Sequence, residues 1–250
     1  MKNLFSIKNK VIALVGGTGL IGSSLSKGLA SAGAIVYVGS RHQIEKEQDN
    51  VTWYKIDIRS MKSIKAFINR IDKDNKRIDV WINCAWPKTG INGPIESIPD
   101  VLIQKETLEH LLGFYSCCKT ALSYMKKQGH GNIINFGSIY GELSPDFRIY
   151  TGTDIYSSPA YSMIKGGIHS FTKYLACEAA CSNIRVNAIC PGGVFNNHDS
   201  TFRDKYSNRV PLKRMATPDE LVGPTIFLAS EASSYVTGQL IFVDGGLTAW

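Results

Sequence analysis

The stretch Val11-Ile12-Ala13-Leu14-Val15-Gly16-Gly17-Thr18-Gly19-Leu20-Ile21-Gly22 decides the fold of this chain. Its five leading apolar residues have the length of a buried strand, and the spaced glycines after them permit a tight turn and close backbone approach. A helix-compatible run then continues to Ala32. We predict a strand, a loop and a helix whose free N–H groups and positive dipole end bind a pyrophosphate. A glycine-rich turn without a ligand is the alternative interpretation.

Six further apolar runs follow, and each except the last precedes a loop and helix-compatible periodicity. Because parallel strands need crossover connections, this alternation predicts an α/β fold, a single doubly wound parallel β-sheet sandwich over residues 1–250. The predicted strands are Val11–Val15, Ile35–Val38, Trp53–Ile56, Val80–Ile82, Ile133–Phe136, Val186–Ile189 and Leu240–Val243.

The composition of the chain indicates which kinds of ligand, partner and cellular location to expect. The formal net charge is +7, but Lys and Arg alternate with acidic residues, so we expect a polar or anionic small molecule and no nucleic acid. No apolar run reaches the roughly 20 residues that span a bilayer, and the N-terminus lacks a signal-peptide pattern, so we predict a cytoplasmic protein without membrane contact. The cysteines lack metal-ligand spacing, so we predict no metal site and buried free thiols at Cys84, Cys117, Cys118, Cys177, Cys181 and Cys190.

The end of the second strand bears on the choice of cofactor. Ser40 stands where an NAD enzyme normally presents an acidic residue to the ribose hydroxyls, and Arg41 follows it. A guanidinium there would meet the 2′-phosphate of NADP. NADP is therefore favoured and NAD remains open, as does the interpretation of Arg41 as a solvated loop residue.

Tyr161 and Lys165 are four residues apart and hence lie on one face of a helix. A cation within about 4–6 Å favours phenolate and lowers the pKa of a tyrosine by roughly one to three, which makes it a usable base near neutral pH. Tyr115 and Lys119 have the same spacing, and we interpret them as an ordinary helix-surface or packing pair. Only Tyr161 follows an apolar strand that delivers a hydroxyl, Ser138, at the sheet edge where ligands gather.

With these features the whole chain resembles the short-chain dehydrogenase/reductase (SDR) family, which has a Rossmann fold and uses NAD(P). Asn83-Cys84-Ala85 resembles the family's Asn-Ala-Gly strand end, and Asp57-Ile58 resembles its adenine-contacting pair. The segment Asn187-Ala188-Ile189-Cys190-Pro191-Gly192-Gly193, followed by Val194, is similar to the segment beside the nicotinamide. Tyr235–Gln239 and Val243–Gly246 match the C-terminal signature.

The resemblance implies roles for three residues. Tyr161 donates or accepts the proton, Ser138 holds the substrate oxygen, and Lys165 tunes the phenol and anchors the nicotinamide ribose. The implied reaction is hydride transfer between a secondary alcohol and a ketone. The competing hypothesis is a catalytically silent nucleotide-binding regulator or scaffold with the same fold, against which the three retained residues argue.

Three departures from the family pattern stand out. Gly16, Gly19 and Gly22 have the spacing of the family's extended branch. The relay asparagine, three residues before Gly113, is replaced by His110, which could hold the relay water or be a passive helix histidine. Ser138 and Tyr161 are 23 residues apart, about ten more than usual, and the excess is an insertion at about 141–156 that must border the active site.

Our expectations about the substrate class and the oligomeric state rest only on the resemblance. The insertion and the segment from Pro191 to Asn196 look like those of enzymes in bacterial surface-polysaccharide and flagellin-glycan pathways, which suggests a sugar, sugar phosphate or nucleotide sugar. Small ketones, steroids and acyl-carrier-protein β-ketoesters remain open. We expect residues 141–156 to form a lid, with a subunit contact as the alternative. The family pattern implies a homotetramer or homodimer joined through helices at 110–125 and 161–179.

Overall fold

A computed structural model describes residues 3–41, 49–86, 91 and 93–250. Its described part contains a seven-stranded, fully parallel sheet with the order β3-β2-β1-β4-β5-β6-β7. The direction of strand succession reverses between β1 and β4, which defines a doubly wound sheet and confirms the predicted fold class. The strands are β1 (Val11–Val15), β2 (Ile35–Ser40), β3 (Val51–Lys55), β4 (Val80–Asn83), β5 (Gly131–Phe136), β6 (Ile184–Pro191) and β7 (Leu240–Val243).

Helices cover both faces of the sheet. The helices α2, α3 and α4 pack on one face, and α1 and α6 pack on the other. A shorter helix, α5, packs against the insertion in a separate apolar cluster. The helices are α1 (Leu20–Ser31), α2 (Met61–Asn75), α3 (Asp100–Gln128), α4 (Pro159–Ala179), α5 (Ser200–Arg209) and α6 (Val222–Ala229).

The central strand β1 explains why its sequence is apolar without alternation. All five of its residues are buried. Val11 and Val15 belong to the core on the α2, α3 and α4 side, whereas Ile12 and Leu14 belong to the core on the other side. A strand covered by helices on both faces has no solvated side to carry polar residues.

The predicted strand boundaries differ most from the observed ones at β6 and β3. The inner strand β6 runs over Ile184–Pro191 rather than Val186–Ile189. The edge strand β3 runs over Val51–Lys55 rather than Trp53–Ile56, because a half-buried edge carries a weaker apolar signal. Ten residues connect β2 to β3, so the helix-compatible pattern after β2 falls mainly on residues 42–48, which lie outside the described part.

The prediction that all six cysteines are buried is wrong for two of them. Cys177 and Cys181 are exposed, because they lie on the outer side of the end of α4 and the turn after it. Cys84 is partly buried, the other three are buried, and all six are free thiols.

The sheet topology brings the predicted site residues together. The carboxyl ends of β1, β4, β5 and β6 lie side by side, and they lead to Gly16, Asn83, Ser138 and Pro191 respectively. Ligands in open α/β sheets bind at this edge, beside the point where strand order reverses.

Candidate active site

The glycine loop after β1 is shaped for close approach of a ligand. Gly16 has φ of +90°, and a Cβ there would lie 2.5 Å from the backbone of Ala85. A Cβ at Gly22 would lie 2.2 Å from the Gly16 carbonyl oxygen, so only glycine fits at either position. No described side chain caps α1, which leaves its first N–H groups for a pyrophosphate. The loop therefore fits the dinucleotide that the sequence predicts.

The adenosine end of the candidate site contains a cavity of about 540 Å³ beside the ends of β2 and β3. Arg41 borders it, and Ser40 lies behind it with its Oγ 3.0 Å from Thr18 Oγ1. Asp57 also borders it, but its carboxylate accepts hydrogen bonds from Arg59 Nε at 2.9 Å and Nη2 at 2.8 Å. This pairing holds the pKa of Asp57 below its ordinary value.

Ile58 lies deeper than the surface of that cavity. Its side chain packs so closely under α3 that a Cβ on Gly113 would come within 2.8 Å of it. The same side chain borders a cavity of about 20 Å³ with Asn83, Ala85 and His110. Asn83 itself is buried in a network in which its Nδ2 donates to Asn135 Oδ1 at 2.9 Å. The strand-end motif therefore stabilises the sheet edge under the site.

Ser138, Tyr161 and Lys165 lie together, as the sequence predicts. Ser138 and Tyr161 line the same cavity, and the Ser138 hydroxyl lies close enough to the Tyr161 phenol to favour its phenolate form. Lys165 is buried in α4, and its Nζ donates to the Phe136 carbonyl oxygen at 2.8 Å while lying 5.6 Å from the centre of the Tyr161 ring. A phenol with a hydroxyl partner and a buried cation beside it is an arrangement suited to proton transfer.

The predicted lowering of the tyrosine pKa is wrong for this structure. Burial raises the pKa of Tyr161, and the hydrogen bond from Ser138 opposes the increase only in part. Burial also lowers the pKa of Lys165 to about 8. The ammonium is bonded to a backbone carbonyl rather than to the phenol, so desolvation outweighs its attraction for phenolate.

Trp86 lies at the centre of the site and was not predicted from the sequence. Its ring is 3.9 Å from the His110 ring and 4.7 Å from the Tyr161 ring, and Lys165 Nζ lies 4.9 Å from it. His110 is buried in α3 beside the cavity of about 20 Å³, which has room for one water. The only signal in the sequence was that Trp86 directly follows the Asn83-Cys84-Ala85 strand end.

A second residue that sequence reasoning missed is His169, which is buried one turn after Lys165 on α4. Its Nε2 accepts a hydrogen bond from Ser138 N–H at 3.4 Å, and its Nδ1 lies 3.9 Å from Glu142 Oε2. Burial lowers the pKa of His169, so the ring is neutral near pH 7, and the acceptor role of Nε2 assigns the proton to Nδ1. His169 thereby holds the backbone of Ser138 in position.

A cavity of about 560 Å³ opens beside Ser138 and Tyr161. The insertion supplies Tyr150, Ile155 and Tyr156 to its wall, as expected of a segment that borders the site. Its remaining described walls come from Trp86, Ile91, Glu106, Ile139, Tyr140, Ser157, Ser158, Gly192, Gly193, Val194, His198, Phe202, Tyr206 and Met215.

The insertion packs against α5. The Tyr150 ring stacks on Phe202 at 5.8 Å, and Asp146 pairs with both Arg148 and Arg209. Asp146 and Arg148 do not line the cavity, and the Arg148 side chain is exposed. α5 also contacts the loop after β6, where the Gly193 N–H donates a hydrogen bond to the Tyr206 hydroxyl. One packed unit thus joins the insertion, α5 and the loop after β6.

A glycine loop for a dinucleotide, placed beside a Ser-Tyr-Lys group at the carboxyl edge of a doubly wound sheet, defines a nicotinamide-dependent oxidoreductase. Residues 20–248 match the family described as Enoyl-(Acyl carrier protein) reductase. The chain belongs to the short-chain dehydrogenase/reductase family.

Known proteins similar to this chain extend along its full length. The Post-translational flagellin modification protein A of Campylobacter coli is 32% identical over 96% of this chain and 98% of its own. A short-chain dehydrogenase from Leptospira borgpetersenii, solved with NAD+, is 38% identical with a TM-score of 0.90, covering 99% of this chain and 96% of its own. A gluconate 5-dehydrogenase from Burkholderia cenocepacia, solved with NADP and tartrate, is 26% identical with a TM-score of 0.86, covering 99% and 98%.

The chain is therefore an NAD(P)-dependent oxidoreductase, and its cofactor is NAD or NADP. None of the helices in the described ranges has the length and apolar character needed to cross a membrane. Within the same ranges, no group of three His, Cys, Asp or Glu side chains is placed to hold a metal ion.

Proposed function

We propose that this chain interconverts a secondary alcohol and a ketone on a sugar or polyol, with Tyr161, Ser138 and Lys165 as its catalytic residues. The observation that carries the proposal is that Ser138 and Tyr161 line the cavity of about 560 Å³ together, with the buried Lys165 Nζ 5.6 Å from the centre of the Tyr161 ring. The main rival, a silent scaffold, gives no reason for a phenol, a hydroxyl and a buried ammonium to meet at that wall.

In the oxidation direction, the substrate hydroxyl passes its proton to the deprotonated Tyr161 oxygen while Ser138 holds the substrate oxygen by a hydrogen bond. In the reduction direction, Tyr161 returns that proton to the forming alcohol. A nicotinamide cofactor held beside Ser138 and Tyr161 would supply the hydride chemistry that accompanies this proton exchange. Lys165, which is charged below pH of about 8, stabilises the negative phenolate oxygen during the exchange. His110, beside its one-water cavity, would connect this exchange to a relay water.

The cofactor would be held by residues at the edge of the sheet. The N–H groups of Gly16–Gly22 would bind the pyrophosphate, and Asp57 with the backbone of Ile58 would flank the adenine. The nicotinamide half would lie between Asn83–Ala85 and Pro191–Val194, with Lys165 at its ribose. We propose a preference for NADP, because Arg41 borders the adenosine cavity and Ser40 there carries no charge that would repel a 2′-phosphate.

Two observations support a carbohydrate substrate. The cavity wall is rich in tyrosines, whose ring faces pack on the C–H surfaces of a sugar while their hydroxyls accept and donate hydrogen bonds. Among similar proteins, one is named for flagellin modification and another is a gluconate 5-dehydrogenase.

We also propose that the chain assembles as a homodimer or homotetramer through α3 and α4. On α3, Leu108, Leu112 and Tyr115 repeat at helical spacing, and all three are exposed. On α4, the exposed ring of Tyr174 stacks on Phe171 at 6.0 Å, and Phe171 in turn contacts Tyr115. These five side chains form a continuous apolar stripe across the two helices, of the kind that a second subunit covers.

The proposed chemistry is tested by replacing Tyr161 with Phe. Wild-type and variant protein are assayed for nicotinamide oxidation and reduction over a panel of sugars, sugar phosphates and nucleotide sugars with both cofactors. Only a hydroxyl is lost, so we expect kcat to fall below about a tenth of the wild-type value while nucleotide affinity stays unchanged.

The matched control is Tyr115→Phe. Tyr115 has the same spacing to a lysine, and Lys119 Nζ lies 5.8 Å from its ring on the surface of α3. This variant should keep wild-type turnover. If Tyr161→Phe retains more than about a tenth of kcat with any substrate, the proposed role of Tyr161 is wrong.

A further inference from the structure

The substrate cavity contains a buried carboxylate that the proposed chemistry does not use. Glu106 on α3 is only 2% exposed, yet it borders the cavity. Its Oε2 accepts a hydrogen bond from the Ser158 hydroxyl at 3.3 Å. Ser158 directly precedes α4 and lies three positions before Tyr161, so Glu106 lies in the wall near the reacting phenol. Carboxyl groups are rarely buried so deeply unless a hydrogen-bonding or charged partner compensates the loss of water.

The described lining residues offer no permanent positive charge to balance Glu106. Neither Lys nor Arg is among them. The only imidazole among them is His198, and burial lowers its pKa, so it is neutral near pH 7. Lys165 is turned to the Phe136 carbonyl behind the wall. Among the described lining residues, Glu106 and neutral hydroxyl groups therefore set the field in this part of the cavity.

This electrostatic arrangement discriminates between classes of substrate. A carboxylate accepts hydrogen bonds and cannot donate them, so the matching ligand group is a hydroxyl or an amine. A ligand carboxylate or phosphate at the same place would meet a like charge. The tyrosine-rich walls can contact the other hydroxyl groups of a polyhydroxylated ligand, whichever group that ligand presents to Glu106.

We propose that Glu106 is a specificity residue that selects substrates presenting a hydroxyl or amino group to it and rejects substrates presenting a carboxylate or phosphate. The inference rests on the proposed function in one respect, since it takes this cavity as the substrate site. It narrows the substrate to neutral or cationic polyols and sugars. The net charge of the chain led us to expect a polar or anionic ligand. At the Glu106 end of the cavity, the proposal retains the polar ligand and excludes an anionic group.

Three compounds test this directly, because D-gluconate, D-sorbitol and D-glucamine differ only in carrying a carboxylate, a hydroxymethyl or an aminomethyl group at one end of the same chain. Binding to the NADP-loaded protein is measured by calorimetry at concentrations up to about 100 mM. We expect sorbitol and glucamine to bind about tenfold or more tightly than gluconate. In Glu106→Gln, which keeps the shape and removes the charge, that ratio should fall by about tenfold.

The control is Glu178→Gln, which removes a carboxylate from an exposed ion pair with Lys126 on the outer side of α4 and should leave the ratio unchanged. Wild-type protein that binds gluconate as tightly as sorbitol would overturn the inference, and so would a ratio unaltered in Glu106→Gln or a failure of all three compounds to bind. Since the readout is binding, it is independent of turnover. Correct discrimination without oxidation would contradict the proposed reaction on these compounds and leave the role of Glu106 intact.

Discussion

Arg41 follows directly after β2 and borders the adenosine cavity from a position open to solvent. A side chain in this position contacts a 2′-phosphate if the cofactor carries one and contacts nothing equivalent in NAD. Arg41→Ala should therefore weaken NADP binding about tenfold to a hundredfold more than NAD binding, which is what one lost hydrogen bond to a charged group is worth.

Fluorescence titration of the two nucleotides against wild-type and Arg41→Ala protein checks this expectation. Arg70→Ala is the control, because Arg70 is an exposed arginine paired with Asp74 on α2 and does not border the cavity. Equal weakening of NAD and NADP in Arg41→Ala, or a wild-type preference for NAD, would contradict the assignment of Arg41 to the 2′-phosphate.

His169 makes stability depend on pH. Burial lowers the pKa of this imidazole in the folded chain below its unfolded value of about 6.5, so the unfolded state binds more protons as pH falls. The stability that neutral His169 provides is present above that value and is lost as pH falls through the folded pKa. Glu142 opposes the lowering, and Lys165 and Lys173 reinforce it.

We therefore expect the free energy of unfolding in urea to decrease between pH 7.5 and pH 5, and to decrease less in His169→Gln, whose amide can accept the Ser138 N–H without titrating. The variant His130→Gln serves as a control, since His130 is about half exposed. Parallel pH dependence in wild type and His169→Gln would show that this histidine does not carry the effect.

At the scale of elements, we expect the insertion and α5 to act on the substrate together, because they pack as one unit. The ion pair between Asp146 and Arg209 and the hydrogen bond from Lys205 Nζ to the Thr151 carbonyl both connect them. Arg209→Ala removes one of these connections. We expect a several-fold increase in KM for the substrate with unchanged nucleotide affinity, because the cavity wall loosens while the glycine loop is untouched.

Steady-state kinetics on the best substrate of the panel measures this effect. Arg203→Ala on the same helix is the control, since Arg203 pairs only with its exposed neighbour Asp204. A deletion of about ten residues within 141–156 extends the test and should lower kcat as well. Loss of the oligomer with unchanged KM would instead identify the insertion as a subunit contact.

The sequence predicts elements better than it predicts contacts between them. Apolar runs identify all seven strands. The runs are most continuous in inner strands such as β1 and β4, which are buried by helices on both faces, and weaker at the half-buried edge strand β3. The positions of Trp86 and His169 depend instead on how α3 and α4 rotate onto the sheet, which no local pattern specifies. A partial signal existed for Glu106, which shares a buried face of α3 with His110 at a spacing of four residues. The cytoplasmic location and the roles of the site residues stay predictions.

At the scale of the whole molecule, the two sides of the fold differ in what they leave exposed. The carboxyl edge of the sheet carries the site, whereas the outer sides of α3 and α4 carry the apolar stripe of Leu108, Leu112, Tyr115, Phe171 and Tyr174. The same two helices hold Glu106, His110, Tyr161 and Lys165 on their inner sides. A subunit docked on the stripe would therefore fix the helices that position the catalytic residues.

Leu112→Glu tests that arrangement, because it places a charge in the middle of the stripe at a side chain that is 57% exposed and makes little contact within its own subunit. We expect light scattering at micromolar concentration to show a dimer or tetramer for wild type and a smaller species for the variant, since burying an unpaired carboxylate in an apolar interface is costly. Leu4→Glu, at another exposed leucine away from both helices, should not alter the mass. If the stripe also supports the site, the dissociated variant should retain its fold by circular dichroism but lose turnover. A stable wild-type monomer would remove the basis for the assembly, and the apolar stripe would then need a different partner.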